Sequence, residues 1–420
     1  MQPTRISVLL SGVCALMLSM GLARYSFPPM IPIMHDEMGV SESLAGWLAG
    51  WNYIGYMAGL FIVWLISDLR AKDFFYRYGM IVAVLGIALM AAHENRVVWY
   101  ASRFFTGVAS AGGFMLGTGL VLNWLLHNGH EDELGIHFSG IGLGIVCAAL
   151  VVDATGLDSA LTVGWRWQWV ALAGVGALLA VPALFLLPAP GEKEIEMSRE
   201  SAVVAAGNEP SARWLWLMQI AYVCAGFSNT VNVTFTSLIT ELQPLPGLGS
   251  FMWLVVGLSA APAPFIWDRF ARRYGSMDML KAAFALAVVG NITLALTFSF
   301  ISTLIAAILI GFTFMGIVSL TLSTVARNYG PRATQIMARL TVGYCIAQIL
   351  SPIFSGTVAE MTGGFGISLT VSSSIMVVGL ICLLMIRNES QKLQRPGGGP
   401  GAGTGSGSGS TSGSDVPATV

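Results

Sequence analysis

The sequence is poor in charge. Lys, Arg, Asp and Glu make up 10% of its 420 residues, whereas hydrophobic residues make up 55%. A soluble domain carries about 25% charged residues, so this composition excludes a soluble protein. It predicts a protein that crosses a lipid bilayer many times. The net charge of −1 gives no reason to expect a nucleic-acid partner.

Several kinds of chemistry are also missing. The five cysteines fall in apolar segments without paired spacing, so neither a disulfide framework nor a metal site is predicted. The five histidines show no metal-ligand spacing. A Gly-x-x-x-x-Gly-Lys-Ser/Thr loop is absent, which argues against an ATP-driven pump. Because no nucleophile, base and metal set converges, we expect no enzyme, no metal and no cofactor.

Long apolar runs dominate instead. About twelve segments have the ~20-residue length of a membrane span. They are 6–27, 44–66, 75–92, 98–122, 134–154, 165–187, 214–239, 248–267, 279–299, 301–325, 335–358 and 365–386. The predicted domains are an N-terminal six-helix bundle (1–187), a cytoplasmic linker (188–213), a C-terminal six-helix bundle (214–390) and a disordered Gly/Ser-rich tail (391–420).

Orientation follows from the basic residues. If the N-terminus is cytoplasmic, all but four of the 21 Lys and Arg residues face the cytoplasm; the exceptions are Arg24, Arg96, Arg103 and Arg166. Basic residues accumulate on the cytoplasmic side of membrane proteins, so both termini are predicted to be cytoplasmic.

The two halves of the chain contain a repeated sequence pattern. Residues 64–73 and 264–273 each follow the second span of their half and carry one aspartate, Asp68 or Asp268, before a basic cluster. An internal duplication in a twelve-span protein is typical of alternating-access transporters, whose substrate site lies between the halves near the membrane midplane.

These two loops resemble the signature loop of the major facilitator superfamily, Gly-x-Leu-Ala-Asp-Arg-x-Gly-Arg-Arg. The second copy keeps Asp268, Arg269, Arg272 and Arg273 but has Pro264 and Ala271 in place of the glycines. The first copy keeps Asp68 and has Arg70 nearby, but Trp64 and Ala71 replace both glycines and Leu69 the first arginine. The resemblance implies a gating role for the six charged residues.

Other segments extend the resemblance. Residues 103–107 are similar to the Arg-x-x-Gln-Gly motif of the fourth helix, and residues 135–144 to the glycine-rich motif of the fifth. Within the superfamily, residues 21–32, 137–145 and 165–167 resemble the YbfB/YjiJ group of bacterial transporters. The resemblance implies two pseudo-symmetric six-helix bundles in the bacterial inner membrane.

Arg24 is the leading candidate for substrate binding. An arginine in hydrocarbon costs a few kcal/mol even on lenient scales, so such residues usually face a bundle interior or a wet cavity. The residue lies roughly 27 Å along a helix from Ile6, in the outer half of the bilayer. Snorkelling to the outer headgroups is the simpler alternative.

The resemblance also places the first, fourth, seventh and tenth helices around the central cavity. Arg24 and Arg103 would then clamp a carboxylate or phosphate together. Arg103 alternatively has a structural role or takes part in proton coupling. Asn229 and Asn232 on the seventh helix and Asn52 and Tyr56 on the second would add polar contacts, unless they join helices.

Two further residues are candidates for proton coupling. Asp153 lies near the outer end of the fifth helix, at a depth similar to that of the arginines, and His137 lies near its cytoplasmic end. The simpler interpretations are a solvated helix-end carboxylate for Asp153 and a packed imidazole for His137.

The sequence therefore predicts a secondary active transporter that moves a small organic anion by alternating access, with proton coupling left open. An exporter of drugs or of apolar and cationic metabolites is the alternative, and a non-transporting membrane sensor or scaffold is an alternative of another class. A monomer suffices for the architecture.

Overall fold

The computed structural model describes residues 4–129, 134–156, 164–191, 211–242, 247–296, 299–329 and 333–386, and every regular element within these ranges is a helix. Most of the predicted linker 188–213 and the whole tail 391–420 lie outside the described residues. The division of the chain into two bundles, a linker and a tail stays a prediction.

Twelve helices occupy the described ranges. In chain order they are α1 Arg5–Met38, α2 Glu42–Leu65, α3 Leu69–Ala92, α4 Arg96–Leu126, α5 Leu134–Gly156, α6 Trp165–Phe185, α7 Ala212–Glu241, α8 Gly249–Tyr274, α9 Ser276–Leu296, α10 Phe300–Tyr329, α11 Ala333–Thr362 and α12 Gly366–Met385. The prediction of an all-helical membrane fold is confirmed. Helices suit this composition because each satisfies its own backbone hydrogen bonds inside lipid.

Eleven of the twelve helices are long and apolar enough to cross a membrane. The exception is α7, which has 30 residues and therefore sufficient length. A run of hydroxyl and amide side chains makes α7 more polar than its neighbours: Ser228, Asn229, Thr230, Asn232, Thr234, Thr236 and Ser237, all of them buried. A helix this polar is stable in a bilayer only when other helices cover it.

Helix α1 is discontinuous. An α-helical segment ends at Leu16, a π-helical segment covers Met17–Leu22, and a second α-helical segment runs over Phe27–Met38. The prediction that the span ends at residue 27 was wrong, because Pro28 and Pro29 occupy the first turn of the second segment, where a helix needs no backbone N–H donor. Arg24 consequently lies near the middle of α1 and not at its outer end.

Helix α4 contains a second π-helical segment, Gly112–Leu116, which packs against the one in α1. The Ser110 hydroxyl donates to the Ser19 carbonyl, and a Cβ on Gly113 would overlap with the Ser19 side chain. Such π-helical segments are rare and occur frequently at functional sites. Here both are adjacent to the cavity described below.

Glycines allow the two halves to approach closely. Between α2 and α11, a Cβ on Gly46 would overlap with the Pro352 carbonyl, and one on Gly356 with the Glu42 carbonyl. Helices α5 and α8 meet in the same manner, with Gly142 against the backbone of Ala261. Small residues at such crossings are typical of helix association in membranes.

We expect Gly107→Ala to destabilise the protein. A Cβ at this position on α4 would overlap with the Asn52 carbonyl on α2, and overpacking of this kind costs ~1–3 kcal/mol. The matched control is Gly119→Ala on the same helix, where a Cβ meets nothing within 4 Å. Thermal unfolding of the purified variants in detergent is the measurement, and equal melting temperatures for the two would contradict the described packing.

Candidate functional site

A small cavity lies between the two halves. Its lining comes from α1, α2 and α4 in the first half and from α7, α10 and α11 in the second, and it encloses about 50 Å³. The resemblance implies that α1, α4, α7 and α10 line this cavity, and they do. Helices α2 and α11 line it as well. The space is large enough for a few water molecules and too small for an organic solute, which therefore requires the halves to separate further than they do here.

Arg24 lies in the lining of this cavity and is 4% exposed. Its Nη2 donates a hydrogen bond to Oε1 of Gln348 at 3.2 Å, and its guanidinium carbon lies 4.2 Å from the ring centre of Tyr56 and 4.5 Å from that of Tyr53. Nε and Nη1 are buried without a hydrogen-bond partner among the described residues. The side chain therefore faces the bundle interior and does not snorkel.

Arg103 has a different environment. Its Nη1 and Nη2 donate to the carbonyls of Ala23 at 3.2 Å and Arg24 at 3.4 Å, and its guanidinium carbon lies 4.6 Å from the Phe27 ring centre. These carbonyls belong to the break in α1, where the regular helical acceptor pattern is interrupted and buried acceptors need donors. Arg103 is not among the residues that line the cavity, so the expected two-arginine clamp does not form in this conformation.

The predicted amides also divide into two groups. Asn229 lines the cavity together with Tyr56, as expected. Asn52 instead donates to the Arg103 carbonyl at 3.0 Å and to the Thr106 hydroxyl at 3.1 Å, so it joins α2 to α4. Asn232 donates to the Asn291 side chain and so joins α7 to α9. The observed contacts of Asn52 and Asn232 therefore join neighbouring helices and do not line the cavity.

Several cavity residues were missed or discounted by sequence reasoning. Gln348 and Tyr53 are not among the predicted site residues, yet both contact Arg24. A helical periodicity on α11 could have identified this face of the helix. Four residues at positions i, i+3, i+4 and i+7 line the cavity: Thr341, Tyr344, Cys345 and Gln348. A cysteine and a tyrosine between polar residues also suit ordinary helix packing, so the pattern alone does not distinguish a cavity-lining face from a packed one.

The two candidates for proton coupling lie away from the cavity lining. Asp153 is half-buried on α5, and the described side-chain hydrogen bonds of Arg24 and Arg103 go to Gln348 and to backbone carbonyls, not to this carboxylate. His137 is fully buried, with its Nε2 3.0 Å from the Thr118 hydroxyl and its ring against Gly12. His137 therefore packs between α1, α4 and α5, and a role in coupling stays a prediction for both residues.

A larger cleft of about 540 Å³ separates the halves at the end of the bundle that carries Asp268. Helices α4 and α5 form one wall, and α8 and α10 form the other. Both the cleft and the central cavity are lined by four apolar side chains, which therefore lie at their boundary: Phe114, Met315, Val318 and Leu322.

Three of the predicted gating residues, Asp268, Arg269 and Arg272, line this cleft. Asp268 forms a 2.8 Å ion pair with Arg272 one turn along α8. Arg273 lies over the Tyr274 ring, with its guanidinium carbon 5.3 Å from the ring centre.

In the first half, Asp68 caps the N-terminus of α3 by accepting a 3.0 Å hydrogen bond from the Ala71 amide. Arg70 is exposed on the first turn of the same helix. Their gating role stays a prediction.

The opposite end of the bundle is tightly packed. Beside the glycine contacts of α2 and α11, the Ser43 amide donates to the Glu360 carboxylate at 3.2 Å. Deeper in the bundle, the Trp253 indole of α8 donates to the Tyr25 carbonyl at the break in α1, at 3.0 Å. The conformation is therefore closed at the end of Glu42 and open at the end of Asp268.

This architecture defines a class of protein. The crystal structure of the nucleoside transporter NupG superimposes with a TM-score of 0.68 at 14% sequence identity, covering 91% of this chain and 99% of NupG, which shows a shared fold. The family described as uncharacterised MFS-type transporter YbfB matches residues 16–384. The chain belongs to this family of the major facilitator superfamily, as its sequence motifs predicted.

Two relatives that match most of the chain are named for the transport of organic acids. The probable sulfoacetate transporter SauU of Cupriavidus necator is 20% identical and covers 90% of this chain and 93% of its own length. A protein assigned to tartrate transport in Agrobacterium vitis is 26% identical over 84% of this chain and 87% of that protein.

Other alignments are partial. A quinolone resistance transporter of Acinetobacter baumannii is 29% identical over 37% of this chain and 36% of that protein. Two further relatives align over 44% of this chain and only 37% and 47% of their own lengths. The family and these relatives are transporters and not enzymes, as predicted.

The two groups of amides predict different effects of substitution. Asn52→Leu removes the two hydrogen bonds that the amide donates to α4, each worth ~0.5–1.5 kcal/mol, so the melting temperature should fall. Asn229→Leu removes a buried Nδ2 that has no hydrogen-bond partner among the described residues, so the melting temperature should stay at or above that of the parent. Comparable destabilisation of both variants in thermal unfolding would refute this division.

Proposed function

We propose that the protein is a secondary active transporter that moves a small organic anion across the membrane by alternating access, with Arg24 holding the anion. One observation carries this proposal. Arg24 lies in a cavity between the two halves, and no Asp or Glu is among the described residues that line it. A buried cation without a carboxylate partner favours a ligand that brings the negative charge.

Electrostatics supports the same assignment. Attraction between opposite charges is strong inside a protein because the surroundings screen it weakly. An arginine offers five N–H donors in a planar arrangement that suits carboxylates, and the one described hydrogen bond, to Gln348, uses a single one of them. The relatives assigned to tartrate and sulfoacetate transport agree with an anionic substrate.

The described conformation supports alternating access. Its cleft extends from the end of Asp268 to the four apolar side chains that border the central cavity, whereas the end of Glu42 is closed by helix contacts. With both termini in the cytoplasm, as the basic residues predict, this is an inward-open state of a protein in the bacterial inner membrane. In the proposed cycle the halves rock about the cavity, and the loops of Asp68 and Asp268 approach each other when the cleft closes.

An exporter of apolar or cationic compounds is the second candidate. The aromatic lining of the cavity and the quinolone resistance transporter among the relatives favour it. A sensor or scaffold, which binds ligand without moving it, is distinguished by a flux measurement. The anion proposal takes precedence because the charge in the cavity is positive and a cationic solute would be repelled.

We expect small organic acids to raise the melting temperature of the purified parent protein and to lose this effect in Arg24→Ala. A ligand that binds the folded state at 100 times its Kd contributes ~2.7 kcal/mol, so the shift should reach several degrees. The matched control is Arg166→Ala, which removes an exposed arginine paired with Glu94 at 2.9 Å. This control should keep the response to acids.

A panel of amines and lipophilic cations completes this experiment. Stabilisation by cations alone, and to the same extent in the parent and in Arg24→Ala, would favour the exporter. For acids that bind, uptake into proteoliposomes with and without a pH gradient separates a transporter from a sensor and tests for proton coupling.

We further expect Gly356→Val to shift the protein away from the described conformation. Its side chain would overlap with the Glu42 carbonyl and separate α2 from α11 at the closed end. Gly174→Val is the control, because a Cβ there meets nothing within 4 Å. The readout is alkylation of Ser323→Cys in the cleft, in a background without the native cysteines. Labelling should slow at least severalfold in Gly356→Val only, and an unchanged rate would contradict the assignment of the closed end.

A further inference from the structure

We propose that the substrate is a monocarboxylate with an aromatic body, a class narrower than small organic anions. This inference rests on the proposed function and concerns the same cavity. It follows from two features of the lining, which are the number of positive charges and the chemistry of the remaining walls.

The cavity provides one positive charge. Among the described residues that line it, Arg24 is the single Lys, Arg or His. The neighbouring cation, Arg103, is already bound to the carbonyls of Ala23 and Arg24 and lies against Phe27. His137 is paired with Thr118 and lies outside the lining. A second negative charge on the solute would therefore be buried without a counter-charge, which costs several kcal/mol.

Aromatic rings form most of the surroundings of that charge. The Arg24 guanidinium lies over the rings of Tyr53 and Tyr56, which offset part of its charge and hold it in place. From the other half, Tyr222 and Tyr344 stack with ring centres 4.4 Å apart and an interplanar angle of 28°. All four rings line the cavity.

These walls suit a flat ring better than a chain of hydroxyl groups. Offset and edge-to-face ring pairs stabilise binding beyond the contribution of the area that they bury. Asn229, Thr230, Thr341 and the hydroxyls at the edges of the tyrosine rings supply hydrogen-bonding groups for polar substituents on a ring. A small dianion such as tartrate has no ring to cover the faces of these aromatic side chains, and its second carboxylate would meet no counter-charge in the described lining.

The test compares five probes on the purified full-length protein, by thermal shift and by calorimetric titration. Benzoate and 4-hydroxybenzoate carry one charge and a ring, acetate carries the charge alone, terephthalate carries two charges, and benzamide is the neutral analogue of benzoate. We expect the two ring monoanions to bind about tenfold or more tightly than each of the other three, a difference of ~1.4 kcal/mol or more.

Variants assign the preference to the rings. Tyr344→Leu should reduce benzoate binding severalfold and bring it close to that of acetate, whereas Tyr78→Leu, at an exposed tyrosine of α3, should leave both unchanged. If Tyr344→Leu does not fold, Tyr53→Leu serves the same purpose, because its ring also faces Arg24.

The outcomes distinguish the aromatic monocarboxylate inference from the more general proposal of an anion transporter. Tighter binding of terephthalate, or equal binding of acetate and benzoate, would overturn the aromatic monocarboxylate and leave an anion transporter standing. Equal binding of benzamide and benzoate, or no stabilisation by any acid, would overturn the anion proposal as well. Tyr344→Leu and Tyr53→Leu variants that both fold and keep the full preference for benzoate would also refute the role of the rings.

Discussion

The central physical constraint in this protein is a buried cation, Arg24, for which the described residues supply no carboxylate partner. Arg24 lies near the middle of a membrane-spanning helix, and its charge is offset by the Tyr53 and Tyr56 rings and by the side-chain oxygen of Gln348. Cation–π contacts contribute up to ~2 kcal/mol each when desolvated, and a hydrogen bond to a charged group ~1.5–3 kcal/mol. These contacts hold the guanidinium in place but leave its charge unneutralised, and in the proposed function the substrate completes the compensation.

The break in α1 at Arg24 is supported by a second arginine. The break in α1 leaves the carbonyls of Ala23 and Arg24 in need of donors, which Arg103 supplies from α4. Asn52 then binds the Arg103 backbone and ties α2 to the same arrangement. The resemblance placed the two arginines together as a clamp. In the structure they have different roles, because Arg103 supports the backbone that positions Arg24 in the cavity.

The contacts of the break extend into the second half of the protein. Arg24 reaches Gln348 on α11, and the Tyr25 carbonyl accepts from Trp253 on α8. If the halves rock as proposed, both hydrogen bonds change, so an anion at Arg24 binds the alternative conformations with different affinity. Such a difference in affinity is the physical link between occupancy and conformation, because a ligand shifts an equilibrium only by its differential binding.

Composition and hydropathy were sufficient to predict a helical membrane protein with about twelve helices, and the cost of a charge in lipid favoured a position for Arg24 inside the bundle. Hydropathy and the cost of a charge in lipid act locally and leave few alternatives. Three findings required the packed helices. Helix α1 continues past Pro28 and Pro29. Arg103, Asn52 and Asn232 support neighbouring helices, whereas Gln348 and Tyr53 contact Arg24. Neighbouring helical positions differ by about 100°, so which of them face the cavity depends on how each helix is rotated when it packs against its neighbours.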